Sequence, residues 1–131
     1  LHYLELTCDI GLTKSSLVSP GLTHERGVYE GKSNSYINSG VKVSYKQQGQ
    51  RLMFMIETSA DRSRFQKEHP VYQKTREDNR VNLFAMLRIN RLFSVEALHA
   101  NLIGGGGNVD SSIDFFDSTD TYLATTIGYS F

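Results

Sequence analysis

Apolar and polar residues alternate with a period of two along most of this chain, as expected of strands with one apolar and one polar face. Six segments carry the pattern, near 2–12, 35–47, 51–60, 80–90, 93–103 and 121–131. In the first, Leu4, Leu6, Cys8, Ile10 and Leu12 share one side, and Tyr3, Glu5, Thr7 and Asp9 the other. In the second, Ile37, Val41, Val43 and Tyr45 oppose Asn38, Lys42, Ser44 and Lys46. The third sets Leu52, Phe54 and Ile56 against Arg51, Met53, Met55 and Glu57. The fourth sets Val81, Leu83, Ala85, Leu87 and Ile89 against Asn82, Phe84, Met86, Arg88 and Asn90. The fifth is mixed, with Val95, Ala97, His99 and Asn101 on one side and Leu98, Ala100 and Leu102 on the other, a pattern that suits a bulge. In the last, Leu123, Thr125, Ile127, Tyr129 and Phe131 oppose small residues.

The connections add a second rhythm. Gln47 to Gln50 and Asn90 to Leu92 are of hairpin length, whereas the polar stretches near 13–34, 61–79 and 104–120 read as long loops. Short and long connections therefore alternate, as in membrane barrels with short periplasmic turns and long extracellular loops. The expected fold is all-β, an antiparallel up-and-down meander of about six strands, forming as a single unit over 1–131 part of a transmembrane β-barrel. Three outward hairpins would start with Leu1 at the periplasmic rim. A soluble six-stranded sheet or sandwich is the competing architecture, but it gives no reason for the loop asymmetry.

Composition narrows the partners more than the fold. With 14 basic and 14 acidic residues the chain has no net field for a polyanion, so nucleic acid is not an expected partner. The mean hydropathy of −0.35 would suit a soluble protein. Barrel strands, however, face lipid with only every second residue. No apolar run is long enough for a transmembrane helix. Leu1 to Glu5 does not read as a secretory signal, so a mature product or a fragment is expected. One cysteine, Cys8, excludes an internal disulfide.

The last ten residues, Tyr122 to Phe131, resemble the C-terminal signature by which outer-membrane proteins are recognised by the barrel assembly machinery. Leu123, Ile127, Tyr129 and Phe131 meet its pattern of alternate apolar or aromatic residues before a terminal aromatic. The resemblance implies the Gram-negative outer membrane, with a periplasmic C-terminus. A further likeness runs from Arg76-Glu77-Asp78-Asn79-Arg80 to Ser111-Ser112-Ile113-Asp114-Phe115-Phe116-Asp117 and the closing strand. It is similar to the barrel ends of surface lipoprotein assembly modifiers and of porin-like proteins of exopolysaccharide export. Such barrels have more than six strands, and bacterial single-chain barrels begin at about eight. The remaining strands are expected from a longer chain or from other subunits.

Candidate chemistry is sparse. His99 with Ser94, Ser111 or Ser112 would give the residue types of a lipid-modifying enzyme, but a lone strand histidine is more often structural, and no enzymatic role is expected. His2, His24 and His69 lack metal spacing. Asn108, Asp110, Asp114, Asp117 and Asp120 do not match a calcium loop, and Gly104 to Gly107 lacks the residues of a phosphate loop and reads as a flexible loop base. No cofactor or metal is expected. Arg62, Arg64, Lys74, Arg76 and Arg80 could equally contact lipopolysaccharide phosphates or form ion pairs. Glu5, Asp9, Lys42, Lys46, Arg51, Glu57, Arg88 and Glu96 are expected to face the lumen. The leading functional expectation is a porin-like transport or export channel. The alternatives are a non-transporting barrel that anchors or assembles surface components or belongs to a larger complex, and, last, the lipid-modifying enzyme.

Overall fold

The computed structural model describes residues 1–29 and 34–129. They form an all-β fold of eight antiparallel strands in one open sheet. The strands are β1 (His2–Thr7), β2 (Ile10–Thr13), β3 (Ser16–Gly27), β4 (Tyr36–Gln48), β5 (Leu52–Glu68), β6 (Thr75–Asn90), β7 (Leu98–Ser111) and β8 (Ser118–Tyr129). Each pairs with its neighbour in chain order, except that β1 and β2 both pair with β3 and together occupy one edge. Short 3-10 turns lie at Leu92–Ser94 and Asp114–Phe116. No described helix is long and apolar enough to cross a membrane.

Each alternating segment contributes a strand, although the fifth starts only at Leu98, and the expected loops are largely strand as well. β3 lies inside 13–34, β5 and β6 extend into 61–79, and β7 covers the first half of 104–120. The connections are Lys14–Ser15, 28–35, 49–51, 69–74, 91–97 and 112–117, so the contrast between long and short is much weaker than the sequence suggests. With a seventh position across the sheet, Leu1 lies at the end that carries 28–35, 69–74 and 112–117, here called the loop end. It does not share the turn end with Tyr129, as six strands would require.

β3 is hidden in the sequence because Pro20 sits in its middle, and proline removes a ladder donor. The fold accommodates it locally. The Cys8 N–H donates to the Pro20 carbonyl at 3.0 Å, so the side of β3 from which the proline N–H is missing faces the break between β1 and β2. Residues 8 and 9 are the interruption, and no ladder bond is wasted there.

The register sorts side chains cleanly. One face carries Leu4, Leu6, Ile10, Leu12, Leu22, Val41, Val43, Phe54, Val81, Leu83, Leu87, Leu102, Leu123 and Ile127, most of them exposed. Between the row through Leu6, Leu22, Val41, Ala60 and Val81 and the row through Leu52, Ile89 and Ile127, that face holds no charged residue. From Leu52 to Ala60 this band runs about 27 Å along β5. At a tilt of about 40° that is about 20 Å across, close to the apolar band of an outer-membrane barrel. Phe54 and Tyr129 mark its margin toward the turn end, and Tyr45 in the middle row points its hydroxyl the same way, donating to Gln47 at 2.9 Å.

Gly104 to Gly107, expected as a loop base, instead lies within β7, paired with Ala85 to Asn82 on one side and Leu123 to Asp120 on the other. Tyr122 lies across Gly105 on the polar face: a Cβ there would meet the Tyr122 hydroxyl at 2.7 Å and the Leu83 carbonyl oxygen at 2.4 Å. The tyrosine can swing aside, but the carbonyl belongs to the adjacent strand. Gly105→Val is therefore expected to destabilise the folded chain by about 1–3 kcal/mol through overpacking, read as a lowered urea midpoint. An unchanged midpoint would mean that β7 does not pack as described.

Candidate functional site

The face opposite the apolar band is polar, and its charges are arranged in register. Glu5 on β1 and Lys42 on β4 form an ion pair across β3, where Gly21 leaves room for the lysine stem. The Tyr3 hydroxyl donates to Glu5 at 2.5 Å, and Thr7 donates at 3.2 Å. On β5, Asp61 accepts from Asn38 Nδ2 at 3.0 Å and lies 3.9 Å from Arg80. Tyr3, Glu25, Lys42, Glu57 and Asp61 line a hollow of about 250 Å³ on this face. Nearer the turn end, Lys46 pairs in register with Met55, Met86 stands beside Ile103, and Arg88 Nε donates to Asn90 at 2.9 Å.

The same face ends, at the loop end, in a buried polar cluster. Asp78 is 2% exposed. Its carboxylate accepts two bonds from Arg76, at 2.9 and 2.5 Å, and one from the Ser111 hydroxyl at 2.7 Å. The Arg76 guanidinium lies 3.7 Å from the Phe116 ring centre and 4.6 Å from that of Phe65. Phe116 packs in turn against His69, Tyr72 and Phe115, which ties the 69–74 connection to 112–117. Ile113 is the buried aliphatic residue of this rim. A planar, fully charged guanidinium suits both partners at once, stacking on the rings and binding the carboxylate through two N–H groups.

On the apolar side, charge returns beyond the band toward the loop end. His24, Ser39, Arg62 and Asn79 share one row, and Arg26, Ile37, Arg64 and Glu77 the next. Glu77 pairs with Arg62 and lies 3.3 Å from Arg64. The Arg62 guanidinium beside it holds the Glu77 carboxyl below the usual carboxylate range. Arg76 and Arg80, grouped in the sequence with Arg62 and Arg64, belong to the opposite face.

Among the residues expected to face a lumen, Glu5, Lys42, Lys46, Glu57 and Arg88 share the polar face, and Asp9 joins them through a 2.6 Å bond from Ser19. Glu96 does not. It lies in the 91–97 connection, is 83% exposed and pairs with Arg91 at 3.5 Å. Arg51 lies in the 49–51 turn. Of the expected assembly residues, Leu123, Ile127 and Tyr129 lie exposed on the apolar side of β8, and Phe131 lies outside the described residues.

His99 is separated from Ser111 by twelve positions along β7, about 40 Å, so these two cannot form a nucleophile and base. The His99 ring instead covers Gly128 on β8: a Cβ there would lie 2.4 Å from its Nε2. The aspartates of the last connection are dispersed, with Asp117 accepting from the Ser111 N–H at 2.7 Å and Asp120 paired across from Gly107. No cluster of metal-ligating side chains occurs among the described residues. The Arg76–Asp78–Ser111 rim has no local signature in the sequence. The hint is the pair of inward charges at 76 and 78, two residues apart on one strand face.

A protein family described as protein of unknown function (DUF2860) matches residues 1–130. The chain belongs to this family. Neither the curated proteins nor the solved structures give a match to it. The DUF2860 sheet thus offers its own site geometry: a polar face of paired charges, closed at one end by an arginine–aromatic rim.

Proposed function

We propose that this DUF2860 chain supplies membrane-crossing strands of an outer-membrane β-barrel whose polar face lines a path for solute, as a porin-like transport or export channel. The turn end and C-terminus face the periplasm, and the loop end faces outward. The observation that carries this reading is the division of the sheet's two faces. One bears an uncharged apolar band that is left exposed, whereas the same rows of the other bear Glu5, Lys42, Lys46, Glu57 and Arg88. An exposed apolar surface of this extent needs lipid or protein against it, and the aromatic margin of the band suits a membrane interface. The partners are then outer-membrane lipid, including lipopolysaccharide phosphates near the charged rows, and the barrel assembly machinery acting on the C-terminal strand.

Conductance in planar bilayers tests the path. The protein extracted from outer membranes in mild detergent is expected to form steps whose cation-to-anion permeability ratio falls at least two-fold in Glu57→Lys, because lumen charges tune selectivity. Protein that is folded and membrane-bound but never conducts would favour the second reading, a non-transporting barrel that anchors or assembles surface components within a larger complex. The specific support for that alternative is the rim, where Arg76, Phe65, Phe116 and Asp78 pack over one end of the polar face.

A further inference from the structure

The two edges of the sheet run in the same direction. Six successive antiparallel pairings lead from β1 through β3, β4, β5, β6 and β7 to β8, so β1 and β8 both descend from the loop end to the turn end. Residues of both strands are exposed nearly throughout, whereas the strands between them are largely screened, β4 and much of β5 on alternate residues. Neither β1, β2 nor β8 contains a lysine, arginine or proline, the residues that commonly blunt a free edge. These edges are suited to being paired, and unpaired backbone groups in lipid would be costly.

We infer that an odd number of further strands, from outside residues 1–131, joins β8 to β1, and that copies of this chain do not close the barrel by themselves. The inference rests on the membrane reading proposed above. If one chain curled onto itself, β8 would meet β1 in parallel, in a barrel of seven positions, below the even-numbered minimum of bacterial single-chain barrels. A ring of copies fails for the same reason. All copies in one membrane share an orientation, so β8 of each would meet β1 of the next in parallel. Joining β8 to β8 would restore antiparallel pairing only by turning one copy upside down. An odd insertion lets both junctions be antiparallel and makes the total even. The inserted strands must continue the faces they meet, with apolar residues beside Leu4, Leu6, Leu123 and Ile127 and polar ones beside Glu5 and Thr126.

Cysteine cross-linking in outer membranes tests this with the protein as the cell makes it. The exposed native thiol Cys8 is first replaced by serine. Cysteines are then placed at Leu4 or Leu6 on β1 together with Leu123 or Ile127 on β8. Leu6→Cys with Leu22→Cys, which are register partners, serves as the control. On oxidation the control is expected to link in most molecules, and the β1–β8 pairs to link at least ten-fold less, within or between copies. Unheated gels are expected to show a detergent-requiring species that shifts on boiling. Efficient β1–β8 disulfides in such a species would overturn the inference while leaving the membrane reading intact. A species that needs no detergent and does not shift on boiling would overturn the membrane reading, and the inference with it.

Discussion

Arginine in place of Leu83 is expected to destabilise the folded chain by about 2–3 kcal/mol and to deplete it from the outer membrane, because a lipid-facing charge costs about 2–4 kcal/mol at the midplane of a barrel and less toward its margins. Leu83 is exposed and lies within the apolar band, one row from its middle, between Thr58 on β5 and Gly106 on β7. The neighbouring rows toward either margin are filled by Val81 and Ala85, so the introduced guanidinium cannot reach water by a short route. Met55→Arg on the polar face is the control, since it adds the same side chain among Lys46 and Met86 and is expected to be tolerated. Urea titration in detergent micelles and the amount of protein in outer-membrane fractions read both variants. The sign of the comparison separates the two architectures. In a water-exposed sheet Leu83→Arg would be nearly neutral, and equal behaviour of the two variants would end the membrane reading.

Asp78→Ala is expected to have an effect of similar size by a different cause. It removes the acceptor of two Arg76 bonds and one Ser111 bond from a buried position on the polar face. Breaking a buried pair by deleting one partner costs about 3–5 kcal/mol, mostly from the charge left behind. Arg76 is about a quarter exposed and stacked on Phe65 and Phe116, so some of that charge can turn to water, and the lower end of the range is expected. Protease cleavage should then appear first in the 69–74 and 112–117 connections, which the cluster joins. The double variant Arg76→Met with Asp78→Ala should recover part of the loss, because it removes both charges together. If it recovers nothing, the rim is held by its aromatic contacts and not by the ion pair.

The division of faces was legible because it is a local property. Successive side chains of any strand point to opposite sides, so Val41 and Val43 against Lys42, or Leu83 against Asn82, declare their faces wherever the strand lies. Of the eight residues expected to line a lumen, the five that lie within strands needed only this rule, and Asp9 is held to the same face by Ser19 although it sits in the break between β1 and β2. Glu96 failed because alternation was carried through a segment that is a connection, where Arg91, Phe93 and Ser94 adopt positive φ and the period is lost.

What the residues determined by themselves is therefore an antiparallel all-β chain with one apolar and one polar face, because period-two patterning follows from strand geometry alone. Tertiary structure decided which of the less patterned segments are also strands. Ser16–Gly27 pairs on both sides despite Pro20, since its missing donor faces the break at Cys8, and Gly104 to Gly107 is drawn into the sheet by β6 and β8. It also brought Asp78 to Ser111, thirty-three residues away, and fixed seven positions across the sheet instead of six. These outcomes depend on partners distant in the chain, whose hydrogen bonds and packing outweigh the local preferences of proline and glycine for turns.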